Sequence, residues 1–129
     1  MSQGHLLDAS ALLALVLGES GAEKVAPLLD SASIGSFTFA EVVTKLLQEG
    51  VPDPEALVGS LEIAIDPEFS AEQAAACGRL HAATRAHGLS MGDCVCLAMA
   101  EWGGLVAVTA DRDWVEAMAG RDIQVLCIR

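Results

Sequence analysis

Basic residues are scarce in this sequence. Seven Lys and Arg stand against 18 Asp and Glu, for a formal charge of −11. That balance excludes attachment to nucleic acid by bulk positive charge, which needs a basic patch. It leaves open a chain whose acids converge on a divalent cation, so the question becomes where the acids lie. Long apolar runs are also missing. None approaches the roughly 18 residues of a membrane span, and no membrane partner is expected. The start, Met1-Ser2-Gln3-Gly4-His5, has no basic n-region, and Asp8 interrupts the apolar stretch after it. No signal peptide is read there, and the expected compartment is the cytoplasm. The four cysteines, Cys77, Cys94, Cys96 and Cys127, form no CxxC pair, and no His stands at zinc spacing from them. Cys94 and Cys96 fall on one helix, where i and i+2 do not face each other. Reduced, mostly buried thiols are expected. Repeats, low-complexity tracts and linkers are absent.

What is present is a chain of 129 residues, 53% hydrophobic, with mean hydropathy +0.46. Such a chain folds as one domain over 1–129 with a sizeable core. Apolar strand-like runs alternate with helix-like stretches. The strands are expected at Leu6–Asp8, Ile34–Phe37, Leu61–Ile65, Leu105–Thr109 and Ile123–Ile128. Between them the pattern predicts helices over Ala11–Leu17, from the Ser20–Glu23 capping box to Leu29, from Thr38 through Leu47, and over Pro54–Ser60. Further helices run from the Ser70–Gln73 box to His87, from Ser90 to about Trp102, and over Asp111–Met118. Strands separated by helical crossovers make a parallel sheet with helices on both faces, an α/β architecture. All strand C-termini then share one edge, where such folds bind ligands.

Four acids fall at that edge or in the first turn of the helix after it: Asp8, Glu41, Asp93 and Asp111. Each also has a structural explanation. Ser10 is placed to cap the helix after Asp8, Glu41 and Asp93 fit capping boxes with Thr38 and Ser90, and Asp111 fits an N-cap. Together they carry more than any one does. Two like charges about 4 Å apart cost roughly 4 kcal/mol at an effective dielectric near 20. A cluster that tight protonates or takes a cation. Carboxylate oxygens suit Mg2+ or Mn2+, and such a site can activate water and neutralise a phosphodiester's developing charge.

At this point the chain resembles the PIN-domain ribonucleases, in particular the small toxins of VapBC toxin–antitoxin pairs. The matching blocks are Leu7-Asp8-Ala9-Ser10-Ala11-Leu12-Leu13-Ala14, Phe39-Ala40-Glu41-Val42, Leu89-Ser90-Met91-Gly92-Asp93-Cys94 and Val108-Thr109-Ala110-Asp111-Arg112-Asp113-Trp114. They stand in family order over nearly the whole chain. The resemblance implies a PIN-like three-layer α/β/α domain whose five-stranded, mainly parallel sheet has the order 3-2-1-4-5. It implies a Mg2+ or Mn2+ site in which Asp8, Glu41, Asp93 and Asp111 are the catalytic, metal-holding acids. Ser10 and Thr109 match supporting polar residues, and Asp113 is placed to share the role of Asp111. Gly92 is a mild departure, at a position where many relatives carry Ala. The implied activity is endonucleolytic RNA cleavage. The implied partners are RNA, a small protein antitoxin that covers the acidic crevice, and a second copy of the chain, with the helices Ala11–Leu17 and Thr38–Gln48 as candidate faces.

Other residues are weighed beside these. Arg112, next to Asp111, is the basic residue expected nearest the site, with Arg85 next. His81 and Arg85, at i and i+4, are expected on one helix face. Trp102 and Trp114 are expected in the core. One alternative is a phospho-accepting receiver-type module with Asp66 as acceptor. It lacks the paired acids after strand one and the Lys after strand five. Another is a PIN-like fold kept for binding alone, for which the presence of all four acids gives no motive.

Overall fold

The computed structural model describes residues 3–129. Met1 and Ser2, part of the start read for a leader, lie outside the described residues. The strands are β1 (His5–Leu7), β2 (Ala32–Gly35), β3 (Ala64–Asp66), β4 (Val106–Thr109) and β5 (Val125–Cys127). They form one sheet in the order β3-β2-β1-β4-β5, and every pairing is parallel. The helices are α1 (Ala9–Leu17), α2 (Ala22–Val25), α3 (Ser36–Gln48), α4 (Pro54–Gly59), α5 (Ala71–Ala83), α6 (Met91–Gly103) and α7 (Asp113–Ala117). Among the described residues no helix is long and apolar enough to cross a membrane.

Strand alternation assigns the two faces. Leu6 and Ala107, opposite each other in register, join α5, α6 and α7 in one core with Leu80, Leu97 and Trp114. Leu7 and Val108, the next pair, join α1, α3 and α4 in the other, with Leu12, Val42 and Leu46. Burial on both faces is why β1 and β4 read as continuous apolar runs rather than alternating ones. Strand β1 is central and three residues long, so its C-terminal end brings Asp8 to the middle of the sheet edge.

Several boundaries differ from the sequence expectation, each for a local reason. Helix α1 begins at Ala9, with Asp8 rather than Ser10 as its cap. Asp8 is extended, and its carboxylate accepts from the Ala11 N–H at 2.8 Å. Strand β2 starts two residues early, because Ala32 pairs with His5, and Ser36 and Phe37 belong to α3. The Ser20–Glu23 box does not form. Gly21 caps α2 with φ +96°, and a Cβ there would lie 2.7 Å from the Ile128 carbonyl oxygen. The backbone turn that seats α2 on the chain's end therefore displaces the serine cap.

Helix α5 stops at Ala83 instead of reaching His87. The buried Thr84 turns its hydroxyl back onto the Leu80 carbonyl at 2.8 Å, and Arg85–His87 form a separate 3-10 turn closed by Gly88. His81 and Arg85 therefore do not share one helix face. Strand β3 begins at Ala64, and helix α7 begins only at Asp113. Trp114 is fully buried as expected, but Trp102 is about half exposed.

Candidate functional site

The crevice at the C-terminal edge is built around Asp8. Three donors hold its carboxylate. The Ala11 N–H donates from the first turn of α1, the Ser10 hydroxyl donates at 2.7 and 2.9 Å to the two oxygens, and the Thr109 hydroxyl donates at 2.6 Å. The same hydroxyls are acceptors on their other side. Ser10 Oγ takes the Ala110 N–H at 2.9 Å, and Thr109 Oγ1 takes the Asp111 N–H at 3.0 Å. The ends of β1 and β4 are thus stitched together through two side chains, and Asp111 is tied by its own backbone to the group that holds Asp8.

Burial pushes the Asp8 carboxyl up to about 6 from an ordinary 3.8. The three hydrogen bonds pull against that rise, and the charge of Asp93 adds to it. Glu41 is also raised, first by burial, then by Asp93 and Asp8. Proximity of like charge disfavours ionisation of Asp8 and Glu41, so these two acids, at the end of β1 and on α3, face the same space as Asp93 on α6. The Cys96 thiol feels the same three charges. This thiol, buried in the core one turn after Asp93, is raised well above its ordinary value by burial and by the charges of Asp8, Glu41 and Asp93. It stays a neutral floor beneath three carboxylates.

Local structure explains how each acid arrives. Ser90 and Asp93 form the expected capping box. Ser90 Oγ accepts the Asp93 N–H at 3.1 Å, and Asp93 Oδ2 accepts the Ser90 N–H at 2.9 Å. One Asp93 oxygen is thereby fixed at the start of α6. Glu41 is different. Because α3 starts at Ser36, Thr38 lies buried in the first turn and caps nothing, and Glu41 falls in the second turn. Asp111 Oδ1 accepts the Asp113 N–H at 2.9 Å, a turn before α7 rather than a helix cap. Asp113 itself is exposed at the first position of α7.

Of the basic candidates, Arg112 turns its Nε onto the Arg129 carbonyl at 3.2 Å, toward the chain's end. Arg85 is exposed in the 3-10 turn after α5. Asp66 sits on the edge strand β3, two strands from Asp8, with Oδ1 accepting the Glu68 N–H at 2.9 Å. That position does not serve the receiver-type alternative.

The donor set is all carboxylate and hydroxyl oxygen, which suits a hard divalent cation. Among the described residues no three acidic, His or Cys side chains form a ready-made ion-holding group. The charge of Asp93 reaches both Asp8 and Glu41, yet the three are not drawn tight, and side-chain rotation would have to close them on an ion. Sequence reasoning passed over two residues here. Cys96 had a usable signal, since i+3 from Asp93 faces it inward on α6. In the sequence Gly92 is only a mild departure from the family pattern. A Cβ on it would meet the Glu41 carboxylate.

This chain belongs to the PIN domain family, whose description matches residues 5–119. Its fold is similar to that of a toxin–antitoxin complex from Klebsiella pneumoniae, with 20% identity, 98% of each chain covered and a TM-score of 0.71. It is similar to VapC20 of Mycobacterium tuberculosis, described as a sarcin-ricin loop cleaving toxin, with 16% identity, 92% of this chain and 96% of that one covered and a TM-score of 0.73. It is also similar to DNA-bound VapBC from Salmonella typhimurium, with 17% identity, 99% and 100% covered and a TM-score of 0.71. At these identities the likeness is one of fold. No curated protein matches the sequence.

Proposed function

We propose that this protein is a Mg2+- or Mn2+-dependent endoribonuclease and the toxin of a toxin–antitoxin pair. The observation that carries the reading is the convergence of Asp8, Glu41 and Asp93 at the end of the central strand, with Asp8 buried and held by three donors. Asp8, Glu41, Asp93 and Asp111 would hold the cation. Bound there, the cation supplies charge neutralisation at a phosphodiester and a water of lowered pKa. Ser10 and Thr109 keep Asp8 oriented and favour its charged form, because each donates to the carboxylate. The capping box keeps Asp93 at a fixed place on a rigid helix. Asp113, beside Asp111, is proposed as its support.

RNA is the proposed substrate, and Arg112 and Arg85 are the proposed phosphate contacts. Arg112 must first leave the Arg129 carbonyl to serve. A small antitoxin covering the crevice is the proposed protein partner, since the structures of similar fold include toxin–antitoxin complexes. A second copy of this chain is also proposed. It would cover Phe37, Phe69 and Trp102, which are exposed and line a groove of about 360 Å3 with Met99. The expected face on α1 is less suited, since Leu15, Val16 and Leu17 are already half-buried. The cytoplasm, where RNA and reduced thiols coexist, is the proposed compartment.

The test is Asp8→Asn, which keeps the shape and removes the charge. Folded Asp8→Asn protein should not cut RNA in Mg2+ or Mn2+. Cleavage at the wild-type rate would sink the site.

A further inference from the structure

Gly92 is the second residue of α6, one before Asp93. Its backbone is not in the left-handed region, so local conformation gives no reason for glycine. Within a helix, glycine is a poorer choice than alanine. The reason lies across the helix interface. A Cβ built on Gly92 would lie 2.5 Å from Glu41 Oε2, 3.1 Å from its Cδ and 3.2 Å from its Oε1. The Glu41 carboxylate occupies the space that an alanine methyl would need. Among the described residues no side-chain or backbone group donates a hydrogen bond to that carboxylate, whereas Asp8 has three donors and Asp93 one. Packing of α3 on α6 is thus what locates it.

We propose that Gly92 is a positioning residue: by having no side chain, it lets the Glu41 carboxylate lie against the first turn of α6, where it can share a divalent cation with Asp93 and Asp8. The inference rests on the reading that these acids hold a cation. It adds that in this chain, where the Glu41 carboxylate packs against the Gly92 backbone, its contribution depends on the absence of the methyl that many relatives carry there. The positive end of the α6 dipole favours a second carboxylate there, which offsets part of the repulsion from Asp93.

The test is Gly92→Ala. The atom that a methyl meets is the free end of a flexible side chain, so Glu41 swings aside and the fold persists. Without divalent cations, the melting temperature of Gly92→Ala should equal or exceed that of wild type, because alanine is the better helix former. Mn2+ affinity by calorimetry should nevertheless fall about tenfold, the scale set by loss of ligand support. A purely structural role for Gly92 cannot give these opposite signs. The losses from Gly92→Ala and Glu41→Gln should also not add, since each removes the same carboxylate. Wild-type Mn2+ affinity in Gly92→Ala, a lowered melting temperature in the metal-free variant, or fully additive losses would each overturn the proposal. If wild type binds Mn2+, Asp93→Asn loses it and Gly92→Ala keeps it, this inference fails and the metal reading stands. If wild type binds no Mn2+, both fail.

Discussion

Asp8 holds the most chemistry for its size. Its carboxyl titrates near 6 in the folded chain, against an ordinary 3.8. Between those values the folded form keeps a proton that the unfolded form has released. Stability contributed by this group is therefore full below about pH 4 and is lost as pH rises through about 6. The shift corresponds to on the order of 3 kcal/mol. Urea unfolding without divalent cations should show that decline between pH 4 and 7, and Asp8→Asn should flatten it. Thr109→Val removes the donor that makes the shortest bond to Asp8, at 2.6 Å. Asp8 should then titrate higher still, moving the acid limb of the pH–cleavage profile upward, while Thr109→Ser restores it. An unmoved limb in Thr109→Val would mean that Asp8 does not control the profile. At this scale the sequence was informative about identity and poor about division of labour. Asp8 and Ser10 both carry cap-forming oxygens two residues apart, and only the three-dimensional closeness of Thr109 decides that Asp8 caps α1 while Ser10 braces Asp8.

Capping boxes show what an element can and cannot reveal of itself. Ser70–Gln73 and Ser90–Asp93 form as the sequence pattern predicts, because each opens its helix after an extended residue with nothing else competing. Ser20–Glu23 and Thr38–Glu41 match the same pattern and do not form. In one, Gly21 packs on Ile128; in the other, α3 has already begun at Ser36. Both failures arise from contacts distant in sequence. The second one matters for function, since a Glu41 released from capping is free to face Asp93. Ser90→Ala should destabilise the protein by about 1 kcal/mol and loosen Asp93, so metal-dependent cleavage should fall along with the melting temperature. A lower melting temperature with undiminished cleavage would show that the box serves the helix alone.

For the whole molecule, the alternation of strands and helices was enough to derive a parallel sheet with helices on both faces. The strand order came from the family resemblance, because periodicity does not say which strand is central. A chain of charge −11 repels RNA at long range. Grip must come from the bound cation and a few arginines, so few counterions are released. The salt dependence of RNA affinity should correspond to about one to three contacts at roughly 0.7 each for single strands. Measured in Mg2+ with an RNA analogue that cannot be cleaved, Arg112→Ala should weaken binding more than Lys45→Ala, whose ammonium pairs with Glu49 at the far end of α3. A steep slope, or equal losses, would put the RNA on another surface. Sedimentation should give a dimer that Trp102→Glu and Phe69→Glu together dissociate, and a wild-type monomer would remove the second copy from the account.

The central claim is that acids from β1, α3, α6 and the end of β4 close on one divalent cation. Anomalous diffraction from crystals soaked in Mn2+ tests it most directly. The account predicts a peak in the crevice, with carboxylate oxygens of Asp8 and Asp93 and at least one of Glu41 and Asp111 within roughly 2.2 Å, near the distances of hard divalent ions. No peak among these acids, or a peak only elsewhere on this acidic surface, would contradict it.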